Sequence, residues 1–312
     1  MRVFNRRVLF VASVFLLGAT QAWAHGFAGK RFFPATLAVD DPFISDELTF
    51  LTGHIREPGQ VTDGFSAAYS KRITPNFGIE LSETYQHLKP IEGDRRNGFA
   101  NMEIGAKYQF FNSDVHETIL SAGLGAELGR TGSRAVGAES FSTLSPTFFF
   151  GKGFGDLPES AKLLRPLAVT GVVGVSIPTR RNNVSFEVDP DSGDEVRIVD
   201  RNPNTLKWGF TFQYNLQYLQ SFVKDVGLKQ PFDRVIPVVE LALSTCLNAP
   251  CKGQTTGTVN PGLIWFGKSV QLGLEAQIPV NRRTGNRVGA LFQLHFFIDD
   301  MFPKTLGRAI FP

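Results

Sequence analysis

The sequence predicts an all-β fold, a transmembrane antiparallel up-and-down β-barrel of about 12 strands with short N-terminal and C-terminal extensions. Three observations carry the prediction. The stretch GFANMEIGAKYQFF (98–111) alternates in character: Ala100, Met102, Ile104, Ala106, Tyr108 and Phe110 share one parity, Asn101, Glu103, Gly105, Lys107 and Gln109 the other. A period of two is the signature of a strand, whose successive side chains point to opposite faces. Segments of this kind recur along the chain at about twice the five or six residues of an average soluble strand. The chain also opens with an export signal.

That opening reads MRVFNRRVLFVASVFLLGATQAWA. Arg2, Arg6 and Arg7 form a basic n-region, and Val8 to Leu17 an apolar core too short to span a bilayer as a helix. Ala22-Trp23-Ala24 fits the small-x-small cleavage pattern. Residues 1–24 therefore read as a secretory signal peptide, with the mature chain starting at His25. No lipobox cysteine precedes the cut. The formal net charge of +3 equals the three arginines of this leader, so the mature chain is near neutral. No basic tract elsewhere points to nucleic acid. No later segment reaches the 18 or so apolar residues of a membrane helix.

Strand-like segments lie near 46–56, 63–72, 76–86, 98–110, 116–128, 141–154, 163–176, 204–217, 232–245, 254–266, 269–280 and 287–298. In LKWGFTFQYNLQYL, Leu206, Trp208, Phe210, Phe212 and Tyr214 oppose Lys207, Gly209, Thr211, Gln213 and Asn215. In SVQLGLEAQIPV, Val270, Leu272, Leu274, Ala276 and Ile278 oppose Gln271, Gly273, Glu275 and Gln277. In VGALFQLHFFI the second parity holds Gln293 and His295, but also Leu291 and Phe297. Such lengths suit tilted strands crossing ~30 Å of hydrocarbon. The apolar parity then faces lipid and the polar parity a wet lumen. A large secreted β-sandwich or β-helix is the competing reading.

Connection lengths orient the barrel. With the first strand running outward, the outside connections include 129–140, 177–203 and 246–253. The inside ones include the short 73–75, 111–115 and 267–268. Two inside connections, 155–162 and 218–231, are longer, and LQSFVKDVGL (219–228) reads as a short amphipathic helix at the inner rim. The expected organisation is a signal peptide at 1–24, an N-terminal segment at 25–45, a barrel at 46–298 and a periplasmic tail at 299–312. The segment 25–45 mixes Phe27, Phe32, Phe33, Leu37 and Phe43 with Lys30, Arg31, Asp40 and Asp41. Its aromatics need a partner surface, so it is expected to fold into the lumen or across the periplasmic mouth as a plug. A disordered tether is the alternative. Lys30 and Arg31 are expected to meet the acidic lumen.

Several stretches resemble the family of outer-membrane proteins encoded with meta-cleavage phenol-degradation pathways. They are GFANMEIGAKYQF, ILSAGLGAELGRTGS, GVVGVSIPT and NPGLIWFGKSVQLGLEAQIPVN. The resemblance covers most of residues 45–298. It implies an outer-membrane channel or transporter for small solutes, with hydrophobic or aromatic compounds as candidates. The chain departs from the barrel habit at its ends, where a tail with Phe311 and Pro312 follows the last strand.

The candidate site is the lumen. Its expected lining is Glu80, Asn101, Glu103, Lys107, Lys207, Gln213, Asn215, Glu240, Gln271, Glu275, Gln277, Gln293 and His295, with Arg165 near one end. Carboxylates along such a path favour cations. The alternative is an interior packed with salt bridges and no open pore, in a non-conducting barrel that binds or scaffolds a protein. Expected partners are outer-membrane lipid and a small-molecule solute, with a periplasmic or surface protein under the alternative. Cys246 and Cys251 read as a local disulfide in an exported chain. No metal site is predicted. Two features have metal-ligating chemistry without the rest of a site: His25, whose imidazole and free amine suit copper, and Asp189, Asp191 and Asp194, whose oxygens suit calcium. No nucleophile elbow or phosphate loop appears, so neither an enzyme nor a cofactor is expected.

Overall fold

The computed structural model describes residues 26–188 and 195–311. The signal peptide, its cleavage site, His25, the Asp189, Asp191 and Asp194 cluster and Pro312 lie outside the described residues. The strands in chain order are β1 (Phe27–Ala28), β2 (Arg31–Phe32), β3 (Glu47–Glu57), β4 (Gln60–Thr74), β5 (Phe77–Pro90) and β6 (Arg96–Phe99). There follow β7 (Glu103–Ser113), β8 (Thr118–Glu127), β9 (Thr143–Gly153), β10 (Leu167–Pro178), β11 (Asn182–Val188) and β12 (Glu195–Arg201). The last are β13 (Thr205–Tyr214), β14 (Val235–Cys246), β15 (Thr255–Phe266), β16 (Val270–Pro279) and β17 (Gly289–Phe297).

Twelve of these close into one antiparallel barrel. β17 pairs with β3, β3 with β4 and β4 with β5, and the ladder continues through β7–β10 and β13–β16. Closure leaves no free edge, which is how a sheet satisfies its backbone away from water. β6 extends the β7 strand along β5. β1–β2 and β11–β12 form two separate hairpins. The second lies in the long outside connection at 177–203, which the sequence reads as a loop.

The barrel is inverted relative to a water-soluble protein. Outward positions carry Phe65, Leu81, Ile104, Leu124, Phe148, Phe212, Leu263, Leu274 and Phe292, all well exposed. Inward positions carry Glu240, Gln271, Glu275, Gln293 and His295, all buried. A continuous apolar exterior on strands of this length is the surface of a barrel that sits in lipid. Trp208, near the end with the longest connection, donates Nε1–H to Thr245 Oγ1. Trp265, near the other end, donates to the Pro231 carbonyl. These two amphipathic rings stand at opposite rims of the belt.

Three local readings from sequence are corrected. The segment 98–110 is one strand only in outline. Tyr85 pairs with Phe99 and Ser82 with Glu103, so three residues, Ala100 to Met102, face only Glu83 and Thr84. This bulge switches parity, so Phe99 and Ile104 both point outward although their numbers differ by five. A second irregularity between Gln109 and Phe111 leaves both Phe110 and Phe111 exposed. The amphipathic helix expected at 219–228 begins earlier. Asn215 caps it by accepting the Tyr218 N–H, and helical backbone runs from Leu216 to Val223 before the chain turns extended at Lys224. β10 starts at Leu167, after Pro166, which has no N–H to give the ladder. Arg165 therefore sits outside the lumen, its guanidinium on the Leu157 carbonyl and Glu159.

Residues 26–46 occupy the barrel interior. β1–β2 sits at the short-turn end, where Gly29 N–H reaches Asp114 Oδ1. The chain then climbs to Leu37–Val39 and returns to Asp46, at the foot of β3. The wall makes room for it: a Cβ on Gly209 would lie 2.9 Å from Val39, and one on Gly273 would lie 2.6 Å from Leu37. Two apolar clusters hold it. Phe32 and Leu37 pack with Ile236, Val238, Ile264, Phe266, Leu291 and Phe297, while Ala28, Phe33 and Phe43 pack with Ile119 and Ala168.

The two faces of β7 give a test. Ile104→Arg places a charge on the apolar belt and should destabilise the inserted barrel by ~2–4 kcal/mol, while Glu103→Gln should leave insertion unchanged. The heat-dependent mobility shift of the folded barrel on detergent gels reads both.

Candidate functional site

The inserted segment divides the lumen. On the β13–β17 side it lies against the wall, and the hydrogen bonds there are specific. Glu240, fully buried, accepts the backbone N–H groups of Leu37 at 2.8 Å, Ala38 at 2.9 Å and Val39 at 2.6 Å. Gln271 donates to the Ala35 carbonyl at 2.6 Å and to Gln293 Oε1 at 2.7 Å. Gln293 donates in turn to the Thr36 carbonyl at 3.1 Å. Asn260 donates to Glu275 Oε2 at 3.3 Å in the same buried layer. His295 contacts Thr49 Oγ1 through Nδ1 at 2.8 Å. On the returning limb, Lys107 donates to the Asp41 carbonyl at 2.8 Å and Ser121 to the Pro42 carbonyl.

A second anchor stands at the short-turn rim. Arg31 is fully buried, with Nε 3.1 Å from Glu117 Oε2 and Nη1 2.8 Å from the Pro166 carbonyl. Its Nη2 donates to the Arg165 carbonyl, and the guanidinium stacks 3.8 Å from the centroid of Tyr218. Tyr218 OH donates to Glu117 Oε1 at 2.9 Å, and the Gly155 N–H reaches Glu117 Oε2 at 3.0 Å. Burial lowers the Arg31 pKa, and Glu117 opposes that shift. Burial, then Glu117, pushes Tyr218 up to about 12. Lys30 lies 5.2 Å over the Phe222 ring. Lys30 and Arg31 thus meet the helical turn at the rim, not the acidic lumen expected from sequence.

On the opposite side the lumen stays open as a cavity of about 230 Å³. Asp40, Glu47, Glu80, Glu103 and Glu127 line it together with Lys107 and Lys207. Phe43, Ile44 and Phe149 supply apolar surface, and Lys107 lies 4.5 Å over the Phe149 ring. The cavity reaches from Glu47, at the foot of β3, to Glu127, Thr143 and Lys207, at the opposite ends of their strands. It is therefore elongated along the barrel axis.

The residues predicted to line a lumen fall into three groups. Glu80, Glu103, Lys107 and Lys207 border the cavity. Gln213, Glu240, Gln271, Glu275, Gln293 and His295 are buried on the side taken by the segment, and Gln277 stands at the far end of β16 with a buried Oε1. Asn101 and Asn215 do other work. Asn101, at the bulge, donates to Glu127 Oε1 and the Glu139 carbonyl and accepts the Gly132 N–H, fixing the neighbouring loop. Asn215 is the helix cap already described. Asp40, Glu47 and Glu127 join the cavity wall although none was among the residues expected to line it. Glu127 was legible in principle, since a turn after β7 sets it across from Glu103. The disulfide between Cys246 and Cys251 is present and closes the β14–β15 connection.

These features define a closed twelve-strand barrel with an apolar exterior and a charged, partly filled interior, the architecture of outer-membrane barrels. Among solved structures, an outer-membrane channel of Pseudomonas putida F1 is similar with a TM-score of 0.52 at 11% identity, over 85% of this chain and 98% of that one. The NanC porin gives 0.45 at 10% identity and the KdgM porin 0.44 at 15%, each over 80% of this chain and 98% of its own. No protein-family model matches the chain, and no curated protein matches it.

Two predictions follow from the anchors. Glu117→Gln leaves a buried guanidinium without its carboxylate and should weaken seating of the segment by about 3–5 kcal/mol. Faster proteolysis within 26–46 in the folded barrel would report it. The second concerns pH. Burial, opposed by Lys107, raises the Asp41 carboxyl to about 6. A raised carboxyl pKa means the seated segment takes up a proton that the released one does not. Seating should therefore tighten as pH falls from about 6 towards the ordinary carboxylate range, and stay at its weaker level above about 6. Asp41→Asn should flatten this dependence in single-channel recordings between pH 4.5 and 7.5.

Proposed function

We propose that the protein is an outer-membrane channel for small solutes, with residues 26–46 acting as an internal restriction. The observation that carries this reading is the elongated charged cavity left beside the segment. Five carboxylates against two lysines along that path favour cations over anions. The Phe43, Ile44 and Phe149 surfaces offer an apolar track. Together with the resemblance to proteins encoded with phenol-degradation pathways, they support hydrophobic or aromatic compounds as solutes. An outer-membrane address agrees with the apolar belt and with the leader read from sequence at 1–24. The channel chemistry is passage, and no side-chain set here is assigned to a reaction.

One observation favours a second reading, a non-conducting barrel that binds or scaffolds a protein. The segment lies along the β13–β17 half of the interior, and its apolar clusters pack it both there and against Ile119 and Ala168 of β8 and β10. Planar-bilayer recording separates the two. The channel reading expects conductance with cation preference in the reversal potential, and a larger unit conductance after deletion of residues 27–42. Barrels that insert but never conduct, with or without the segment, would establish the second reading.

A further inference from the structure

We propose that the outer wall formed by β3, β4 and β5, at the end bearing the longest connection, binds the phosphate groups of an outer-leaflet glycolipid. The proposal rests on the outer-membrane placement and orientation given above. The register builds the site. Thr52, Phe65, Tyr85 and Phe99 form one continuous outward row across β3–β6, with Tyr85 and Phe99 rings 5.2 Å apart. This row is an aromatic girdle at the boundary of the apolar belt. Two residues further along each strand, on the same face, comes the row His54, Asp63, His87, Asn97. One step beyond that lie Arg56 and Lys89, both aligned with Val61.

Polar groups outside the lumen immediately above a girdle meet lipid headgroups, not the channel. Here they are cationic and held in place. Lys89 Nζ lies 2.5 Å from Asp63 Oδ2, and Asp63 Oδ1 lies 2.6 Å from His54 Nδ1. His54 Nε2 accepts from Arg56 Nε at 3.1 Å. The chain Arg56–His54–Asp63–Lys89 thus carries two cations and one anion, and Asp63 serves to fix the cations in one row. The Arg56 contact uses Nε alone. Its terminal nitrogens make no hydrogen bond among the described residues, which leaves donors in the fork geometry that suits phosphate. Arg56 and Lys89 are two strands apart, roughly 10 Å between backbones, a span their long side chains close around one headgroup. Glu83, one row below the girdle on the same parity, has a buried Oε1 beside the β6–β7 bulge.

The test is a titration of the folded full-length barrel in neutral detergent with lipopolysaccharide, with dephosphorylated lipid of the same acyl chains, and with inorganic phosphate. Wild type should bind the phosphorylated lipid with salt-sensitive affinity, and Arg56→Gln/Lys89→Gln should weaken it about thirtyfold. Insertion into phospholipid vesicles and conductance, measured on the same preparations, should be unchanged, so failure of the channel reading shows separately. Should the double variant lose its folded gel band, each single substitution is expected to give part of the loss. Equal binding of the dephosphorylated lipid, an unaffected double variant, or equal competition by inorganic phosphate would each overturn the proposal.

Discussion

The buried carboxylate of Glu240 organises the interior. On the filled side of the lumen, where Glu240 is fully buried, a backbone turn is costly unless each N–H finds an acceptor. Leu37, Ala38 and Val39 present three such groups in succession, and one carboxylate takes all three. Charge-assisted hydrogen bonds are the strong kind. The bonds fix the height at which the segment turns. That height decides where Phe32 and Leu37 enter one apolar cluster and where Phe43 enters the other. The open cavity is what remains on the far side.

The rim anchor works by a different balance. Arg31 and Glu117 are both taken from water, and such a pair is favourable only when the remaining donors and lone pairs are satisfied. Here the Pro166 and Arg165 carbonyls, the Tyr218 hydroxyl and ring, and the Gly155 N–H complete the set. The inner rim helix, short as it is, contributes Tyr218 to this set. The foot of β3 is fixed in a similar way. Asp46 is fully buried and binds Lys71 and Arg72, which also hold the carbonyls of Leu306, Gly307 and Arg308 in the C-terminal tail.

The barrel was largely legible in the sequence because period-two alternation is a local signal that lipid outside and polar groups inside reinforce. The strands containing Phe212 and Leu274 fall where alternation puts them. The failures have physical causes. The Ala100–Met102 bulge inserts one residue, and parity counting cannot see where a count shifts. Arg165 was misplaced because its neighbour Pro166 delays the strand, expected from about 163, until Leu167. The pairing of Arg31 with Glu117 spans 86 positions and leaves no local trace. The division of the lumen into a filled half and an open half was equally invisible. It depends on where Val39 and Leu37 press against Gly209 and Gly273, and glycines on a strand read only as weak points.

The covalent continuity of the inserted segment with β3 has a kinetic and thermodynamic meaning. Because its last residue leads directly into the barrel wall, a released segment stays within reach of its site. It behaves as a tethered ligand whose effective concentration is in the millimolar range for a short flexible link. Seating is thus independent of how much protein the membrane holds. Even a modest intrinsic affinity for the Glu240 wall keeps the site occupied most of the time. A solute that competes for that wall must work against this local concentration, so the tether itself sets a threshold for displacement.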